Sequence, residues 1–311
     1  MIYKISAEEN GKTVKEVLRY GVGLSLAFTK QLKFLDNGIM LNGEKVTVRK
    51  IVSEGDLLFL ATEDIEKQGV LTPVNIPIDI VYEDEYIVMP NKSANMPTHP
   101  SHNHRGDTLA DALAYKYQQE GIPFVFRAIS RLDRNTSGIV LIAKDRISAS
   151  KLSDSMKNGT ITKKYIAILD GELNSNDGII DTYIKREAES IIFRKVCNIN
   201  EGGDHAITKY KVLAIKNGYS LVLASPITGR THQLRVHFSY LGTPILGDDM
   251  YGKASALISR HALHAISLEF IHPRTQEQLV LFAEPSEDIA SAITAIFGEN
   301  TLKSLSEQLK N

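Results

Sequence analysis

The sequence of 311 residues contains a single cysteine, Cys197, and no long hydrophobic run. One cysteine cannot form a disulfide bond within the chain, and it excludes a zinc site built from several cysteine thiolates. No apolar stretch approaches the roughly 20 residues that a membrane-spanning helix needs. The first residues also lack the apolar stretch of a signal peptide, so we expect a cytoplasmic protein with no membrane partner.

The chain also has almost no net charge, because 36 Lys and Arg side chains stand against 37 Asp and Glu. Taken alone, this balance argues against a nucleic-acid partner, since domains that bind nucleic acid are usually basic. The charges are unevenly distributed, however. Residues 12–50 hold eight basic and three acidic side chains, residues 51–90 one and nine, and residues 127–165 nine and three. Two basic segments flank an acidic one, so the neutral total does not exclude RNA.

The length fits two domains, and 43% hydrophobic residues are enough for a sizeable core. Apolar spacing over 14–18 predicts a short helix, and Ser25 is a suitable N-cap for a second helix that ends at Asn37-Gly38. Asn42-Gly43 then predicts a two-residue hairpin. We therefore expect residues 1–65 to form a small domain of their own.

The order helix, helix, hairpin over residues 12–62 resembles the S4 RNA-binding domain. The resemblance implies that the helices and the hairpin present basic side chains to structured RNA. Lys30 and Lys33 lie one turn apart on the polar side of the second helix and are candidates for this role. The alternative is an ordinary solvated helix face.

Residues 66–78 have the composition of a linker, residues 79–297 read as one large domain, and residues 298–311 form a tail that is either a short helix or frayed. In the large domain, strands outnumber helices and are often linked by hairpins. The pattern favours an α+β fold with a mixed, mostly antiparallel sheet and flanking helices. The predicted strands are 79–82, 86–89, 138–143, 165–169, 191–197, 206–215 and 219–224, and the predicted helices are 108–120 and 146–157.

The most informative segment is a polar loop that leads directly into a buried-strand pattern. It reads Arg131-Leu132-Asp133-Arg134-Asn135-Thr136-Ser137-Gly138. The neighbouring arginines favour the ionised form of the Asp133 carboxylate. From the residues alone, a surface ion pair is a more common explanation of such a loop than a catalytic carboxylate.

The loop and the strand that follows it are similar to the signature of the RluA-type pseudouridine synthases. Three later elements, at 164–167, 228–248 and 260–273, resemble the same family in the expected order. The resemblance spans residues 79–285, and many members of the family carry an S4 domain. It implies an enzyme that acts as a monomer, without a cofactor, and converts uridine to pseudouridine in RNA. Ribosomal RNA is the expected substrate, with transfer RNA as the alternative.

The resemblance also implies roles for individual residues. Asp133 takes the place of the nucleophilic aspartate, Tyr165 that of the tyrosine that stacks on the target base, and Arg235 that of the arginine that pairs with the aspartate. Arg131 takes the place of an arginine thought to hold the flipped-out strand. The same motifs supply further candidate RNA-binding residues, namely Arg134, Thr136, Arg230 and His232.

The residues themselves allow other interpretations of these positions. Tyr165 at a strand start is also typical of a core tyrosine. With Thr231 as N-cap, the helix would pack Leu234, Phe238 and Leu241 on the sheet and turn Arg235 the other way, toward a cleft or toward solvent. The sequence departs from the family pattern at Ser130, where His is usual, and at Ser93 and Asn95, where Pro and Gly are usual.

Four alternative functions have less support in the residues. His99, His102 and His104 could suggest a metal, but no H-E-x-x-H motif accompanies them. A hydrolase using Asp133 and His232 would lack a third, orienting group. A P-loop motif is absent. An RNA-binding assembly factor on a degenerate synthase scaffold would be favoured by loss of Asp133, Tyr165 or Arg235, and all three are present.

Overall fold

The computed structural model describes residues 1–61, 71–101, 104–190 and 192–310. Its α-helices are α1 Val14–Glu16, α2 Leu26–Phe34, α3 Leu109–Gln119, α4 Arg146–Lys157, α5 Gln233–Tyr240, α6 Glu287–Phe297 and α7 Glu299–Lys310. Its first four strands are β1 Ile2–Lys4, β2 Ile39–Leu41, β3 Glu44–Lys45 and β4 Leu57–Leu60. The remaining strands are β5 Asp79–Glu83, β6 Ile87–Lys92, β7 Arg127–Ala128, β8 Ser137–Ile139, β9 Ile142–Ala143, β10 Thr162–Asp170, β11 Asp177–Arg186, β12 Arg194–Cys197, β13 Asp204–Lys216, β14 Tyr219–Pro226, β15 Leu263–Ile271 and β16 Gln278–Phe282. No helix in the described ranges is both long and apolar enough to cross a membrane.

The N-terminal residues form a small module in which α1 and α2 cover a four-stranded sheet of order β1-β4-β2-β3. Ser25 caps α2 as predicted, since its side chain accepts a hydrogen bond from the backbone amide of Phe28. The predicted hairpin is also present, because Asn42 and Gly43 both adopt positive φ angles between β2 and β3. The helix ends earlier than predicted, however, because Leu35 already has an extended backbone.

The N-terminal module packs against α4 of the large domain. Ile147 at the start of α4 is 1% exposed and belongs to the apolar core of the module. The Arg146 guanidinium lies 5.2 Å from the ring centroid of Phe28. The backbone amide of Ser25 donates to the Ser150 hydroxyl, and Arg19 approaches Asp154 at 3.5 Å. The contacts combine buried apolar area with polar pairs, so the two parts share an interface.

The large domain is built on a twelve-stranded sheet of order β12-β11-β13-β14-β10-β15-β8-β6-β9-β7, with β16 paired to β15 and β5 paired to β6. Among the described strand pairs, β8 and β15 are parallel and the others are antiparallel. This confirms the predicted α+β class with a mixed, mostly antiparallel sheet. The Asn217-Gly218 turn joins β13 to β14 with both φ angles positive, as a two-residue hairpin requires.

The predicted strand 138–143 is divided into β8 and β9, and a proline in the neighbouring strand accounts for the break. Pro90 lies in the middle of β6, which pairs with both strands. Because proline has no N–H, it accepts a hydrogen bond from Val140 but cannot donate one back. The regular ladder therefore stops between Ile139 and Ile142.

Other boundaries also differ from the predictions. The predicted strand 191–197 is shorter, since β12 begins at Arg194, and residue 191 lies outside the described residues. Residues 62–70 of the acidic segment are likewise outside them. The second half of the predicted linker is bound to the domain, because the Thr72 amide donates to the Asp111 carboxylate. The tail forms α7, and its Leu302 packs against the main core.

Two large apolar clusters and a smaller third one stabilise the described part of the large domain. The first includes Phe238 from α5 and Ile293 from α6, and the second includes Leu113 from α3 and Leu152 from α4. Tyr165 on β10 contacts both clusters. The centre of the sheet is thus packed on both sides of Tyr165, close to the loop before β8 and the turn before α5.

Candidate active site

A pocket of about 290 Å³ opens between three segments: the loop at residues 129–136, the start of β10, and the turn at residues 226–235. The loop provides Asp133, β10 provides Tyr165, and the turn provides His232 and Arg235. Segments that are far apart in sequence therefore bring the predicted catalytic residues into one cavity.

Close packing against β15 fixes the loop that carries Asp133. Gly138 follows the loop with φ of +117°, and an added Cβ would lie 2.2 Å from the carbonyl oxygen of Ala265. Only glycine allows this approach. The buried guanidinium of Arg260 donates to the Asn135 carbonyl at 2.8 Å and is held in turn by Asp288. The backbone on either side of the loop is thus held by the body of the domain.

A buried ammonium holds the same loop from its other side. Lys92 is 1% exposed and donates hydrogen bonds to the carbonyls of Ser93, Met96 and Arg134. Burial and, to a smaller extent, the positive charge of Arg260 lower the pKa of Lys92 to about 7, while the negative charge of Asp133 opposes the shift. The lysine therefore ties the segment at 93–96 to the loop of Asp133.

Two of the three departures from the family pattern, Asn95 and Ser130, have local explanations. Asn95 adopts φ of 58°, a left-handed conformation that asparagine tolerates better than most residues, so it replaces the usual glycine. The Ser130 hydroxyl accepts a hydrogen bond from the backbone amide of Leu141. Each residue thus supports the backbone at its position.

The charged neighbours of Asp133 come from α5 and its N-terminus. The Oδ2 atom of Asp133 lies 3.9 Å from Nε2 of His232 and 4.0 Å from a terminal nitrogen of Arg235. Arg131 and Arg134, its neighbours in sequence, have exposed side chains. They are not its partners among the described ion pairs. The cations that lie within 4.0 Å of the Asp133 carboxylate among the described ion pairs are thus those across the pocket, on His232 and Arg235.

Arg235 forms its closest ion pair with a second carboxylate, Asp248. Nε and one terminal nitrogen of Arg235 each donate to Asp248 at 2.7 Å. Burial would raise the pKa of Asp248, but this bidentate pairing more than offsets it and lowers the pKa. Arg235 is 4% exposed, so the solvent-exposed arginine is excluded. It is fixed with its remaining terminal nitrogen toward Asp133.

His232, rather than Thr231, is the N-cap of α5, and its φ of 58° is left-handed. Its Nδ1 lies 2.9 Å from the hydroxyl of Tyr251, which also accepts a hydrogen bond from the Arg194 amide. Burial lowers the pKa of His232, and Arg235 adds to this while Asp133 opposes it. The helix ends at Tyr240, so Leu241 is its C-cap and is 39% exposed, and only Leu234 and Phe238 of the predicted apolar face are buried.

Tyr165 lies on the wall of the pocket, between β14 and β15 in the sheet. Burial raises the pKa of its hydroxyl well above the usual value, and the negative charge of Asp133 raises it further. The phenol is therefore protonated at neutral pH. It offers an aromatic face and a hydroxyl donor to a ligand in the pocket.

The other predicted residues are divided between the pocket and more distant surfaces. Arg131 and Arg230 are exposed at the rim of the pocket, and the Arg134 side chain is also exposed. Thr136 is 2% exposed and bonded to Nε2 of His261, so its hydroxyl supports the loop. Lys30 and Lys33 lie outside the pocket, in a groove of the N-terminal module.

The histidines of the segment 99–104 have other partners. His99 packs edge-on against Phe126, His104 pairs with Asp107, and His102 is outside the described residues. Within the described ranges, no group of three or more His, Cys, Asp or Glu side chains could hold a metal ion.

Sequence reasoning missed the supporting residues Asp248, Tyr251, Lys92 and Arg260. Asp248 and Arg260 lie in motif segments, but nothing in a single sequence shows which charged groups meet. Lys92 stands out in the sequence only as part of a variant motif. Its burial depends on the fold of the loop at 93–96.

Comparison with known proteins shows the family to which the chain belongs. The family described as "RNA pseudouridylate synthase" matches residues 85–240. The chain is 38% identical to the uncharacterized RNA pseudouridine synthase YjbO of Bacillus subtilis, over 93% of this chain and 99% of the relative. It is 32% identical to ribosomal large subunit pseudouridine synthase D of Blochmanniella floridana, over 84% and 87% of the two chains.

A solved structure agrees with these sequence matches. The human protein titled RNA Pseudouridylate Synthase Domain Containing 1 superimposes with a TM-score of 0.57 and 27% identity, covering 75% of this chain and 95% of that protein. The chain belongs to the RNA pseudouridylate synthase family, whose members are isomerases that act on RNA.

Proposed function

We propose that this pocket converts uridine to pseudouridine with Asp133 as the nucleophile. The observation that carries the proposal is the position of Asp133, a carboxylate at the pocket wall facing Arg235 and His232. A carboxylate held in place by its surroundings can act as a nucleophile without a cofactor.

The reaction is an isomerisation whose atoms balance within the substrate. The carboxylate attacks either C1′ of the ribose or C6 of the uracil, and the N1–C1′ bond breaks. The uracil rotates, C5 bonds to C1′, and the proton lost from C5 is balanced by one gained at N1. Asp133 is released at the end, so the enzyme is unchanged.

The neighbouring residues support this chemistry. Asp248 accepts hydrogen bonds from two nitrogens of the Arg235 guanidinium. This pairing holds the third nitrogen 4.0 Å from the Asp133 carboxylate. We propose that Tyr165 stacks on the target uracil. A phenol with a raised pKa is poorly suited to act as a base, so we assign it a positioning role.

A uridine must leave its stack to enter the pocket, at a cost of a few kcal/mol in a duplex and less in a loop. The exposed guanidiniums of Arg131 and Arg230 at the rim are placed to bind the displaced strand. Structured RNA with an accessible uridine is therefore the proposed substrate.

We propose that residues 1–65 form an S4-like RNA-binding domain, joined through 66–78 to the catalytic domain at 79–297. Its groove is lined by the exposed side chains of Lys15, Lys30, Lys33 and Arg49. Four basic groups in one groove suit the phosphate backbone of RNA. The chain is proposed to act as a monomer in the cytoplasm.

The proposed substrate is large-subunit ribosomal RNA, because relatives that cover most of this chain carry the name ribosomal large subunit pseudouridine synthase D. The test is to map pseudouridines in the ribosomal and transfer RNA of cells that express the wild-type protein, Asp133→Ala or Asp133→Asn. We expect one or more sites in large-subunit RNA to disappear with both variants. The control Asp177→Asn, at the exposed start of β11, should retain them. Modification by Asp133→Ala at the wild-type rate would refute the mechanism.

A further inference from the structure

Lys163 is a basic residue in the pocket that the mechanism above does not use. It lies on β10, and its side chain lines the cavity together with Asp133 and Tyr165. Across the pocket it faces the turn before α5, where its Nζ is 3.6 Å from the position of a Cβ built on Gly229. The ammonium therefore lies close to the backbone of that turn.

Among the described residues, no carboxylate or carbonyl accepts a hydrogen bond from this ammonium, whereas three other lysines with buried or half-buried side chains have such partners. Lys116 and Lys144 both pair with Glu83, and the buried Lys92 donates to three carbonyls. For Lys163, burial lowers the pKa, and no opposite charge offsets the effect.

A partly desolvated cation without a counterion is costly to the folded protein. The cost is recovered if an anionic ligand occupies the pocket. The pocket opens at the rim formed by Gly229 and the exposed Arg230, so a negatively charged group there can contact Lys163 directly. Each nucleotide of RNA brings one such group next to its ribose.

We propose that Lys163 binds the phosphate group of the target nucleotide and so fixes its ribose beside Asp133. This inference rests on the proposed function, because it takes a nucleotide as the occupant of the pocket. Uracil offers only neutral carbonyl oxygens, whereas a phosphate carries a full negative charge and can serve as the counterion of the Lys163 ammonium. Lys163 is then a substrate-binding residue that positions the ribose of the target nucleotide relative to Asp133.

The first test measures the Lys163 ammonium itself. The lysines of the full-length protein are dimethylated with ¹³C-formaldehyde, and the Lys163 signal is assigned with Lys163→Arg. We expect uridine 5′-monophosphate to raise the pKa of Lys163 by about one unit or more, because an anion stabilises the protonated form. Uridine should leave it unchanged. A shift caused equally by uridine, or no shift at the highest soluble concentration of the nucleotide, would overturn the phosphate assignment.

The second test measures catalysis on the RNA identified by pseudouridine mapping. Lys163→Met should lower kcat/KM about tenfold, as expected when one charge-assisted hydrogen bond is removed. It should also reduce the salt dependence of binding by roughly 0.7 to 0.9 in slope, the value for one phosphate contact. Lys163→Arg should retain most of the activity.

The matched control is Lys164→Met, which removes the same charge one residue away, outside the pocket lining. Equal effects of the two substitutions would contradict a specific role for Lys163. The test is also separable from the proposed function. If Asp133→Ala remained active while the nucleotide still shifted the Lys163 titration, the phosphate site would stand and the nucleophile assignment would fall.

Discussion

The basic groove of the N-terminal module and the catalytic pocket use charge in opposite ways. In the groove, Lys15, Lys30, Lys33 and Arg49 are exposed, and none forms an ion pair with a described residue. In the pocket, Arg235 is buried and held by the two hydrogen bonds that it donates to Asp248. Exposed charges contribute small, additive and salt-screened terms to binding. A buried pair fixes geometry, and removing either partner leaves an uncompensated charge.

The largest expected effect comes from breaking the buried pair with Asp248→Asn. Asp248 is 0% exposed and also accepts hydrogen bonds from the backbone amides of Met250 and Tyr251. Loss of its charge should lower the free energy of unfolding by about 3 to 5 kcal/mol. The freed guanidinium of Arg235 should then pair tightly with Asp133, so kcat should fall by roughly a hundredfold. Urea denaturation and single-turnover kinetics measure the two effects.

The matched control is Asp170→Asn, which removes a carboxylate paired with the exposed Lys253. It should change stability by less than about 1 kcal/mol and leave kcat unaffected. If Asp248→Asn kept full activity in the fraction that remains folded, Asp248 would not position Arg235. The proposed difference between the exposed charges of the groove and the buried ion pair of the pocket would then no longer be supported.

An intermediate effect is expected from pH, because the N-terminal 98 residues contain no histidine while the large domain buries several. Burial lowers the pKa of His237 and of His264 to about 4 each. Between the unfolded value near 6.5 and this folded value, the unfolded state binds more protons. The free energy of unfolding should therefore fall as the pH is lowered from 7 to 5, by about 1 to 2 kcal/mol per histidine.

Chemical denaturation at successive pH values measures this dependence. His264→Gln should lose part of this dependence, because it removes one of these two buried imidazoles. A pH dependence that is unchanged in His264→Gln would show that other groups cause the acid sensitivity.

The sequence was sufficient to predict features that depend on local rules. Ser25 as a cap, the Asn42-Gly43 and Asn217-Gly218 turns, and the bounds of α4 all follow from backbone preferences within a few residues. The α+β class followed from the number and spacing of strands. The choice of Asp133, Tyr165 and Arg235 came from a family resemblance, and the structure brings all three into one pocket.

The features that could not be predicted depend on contacts between distant residues. The split of β8 from β9 requires Pro90 to lie in the neighbouring strand. The partner of Arg235 is set by the turn at Asp248, and periodicity along a helix cannot show this. The left-handed backbone at His232 shifted the start of α5 by one residue and placed its side chain at the pocket. At such positions, contacts within the pocket determine the backbone conformation more than local sequence preferences do.

The smallest expected effect concerns the groove. Deleting residues 1–65 would expose Ile147, which the module buries, so Lys30→Ala/Lys33→Ala is the cleaner variant. It should weaken RNA binding several-fold, with kcat unchanged, and each phosphate interaction that it removes should reduce the salt slope by about 0.7 to 0.9. Lys303→Ala on α7 controls for the general loss of positive charge. An unchanged slope in the double variant would mean that the groove does not bind phosphate, and the exposed charges would then act only as a solvated face.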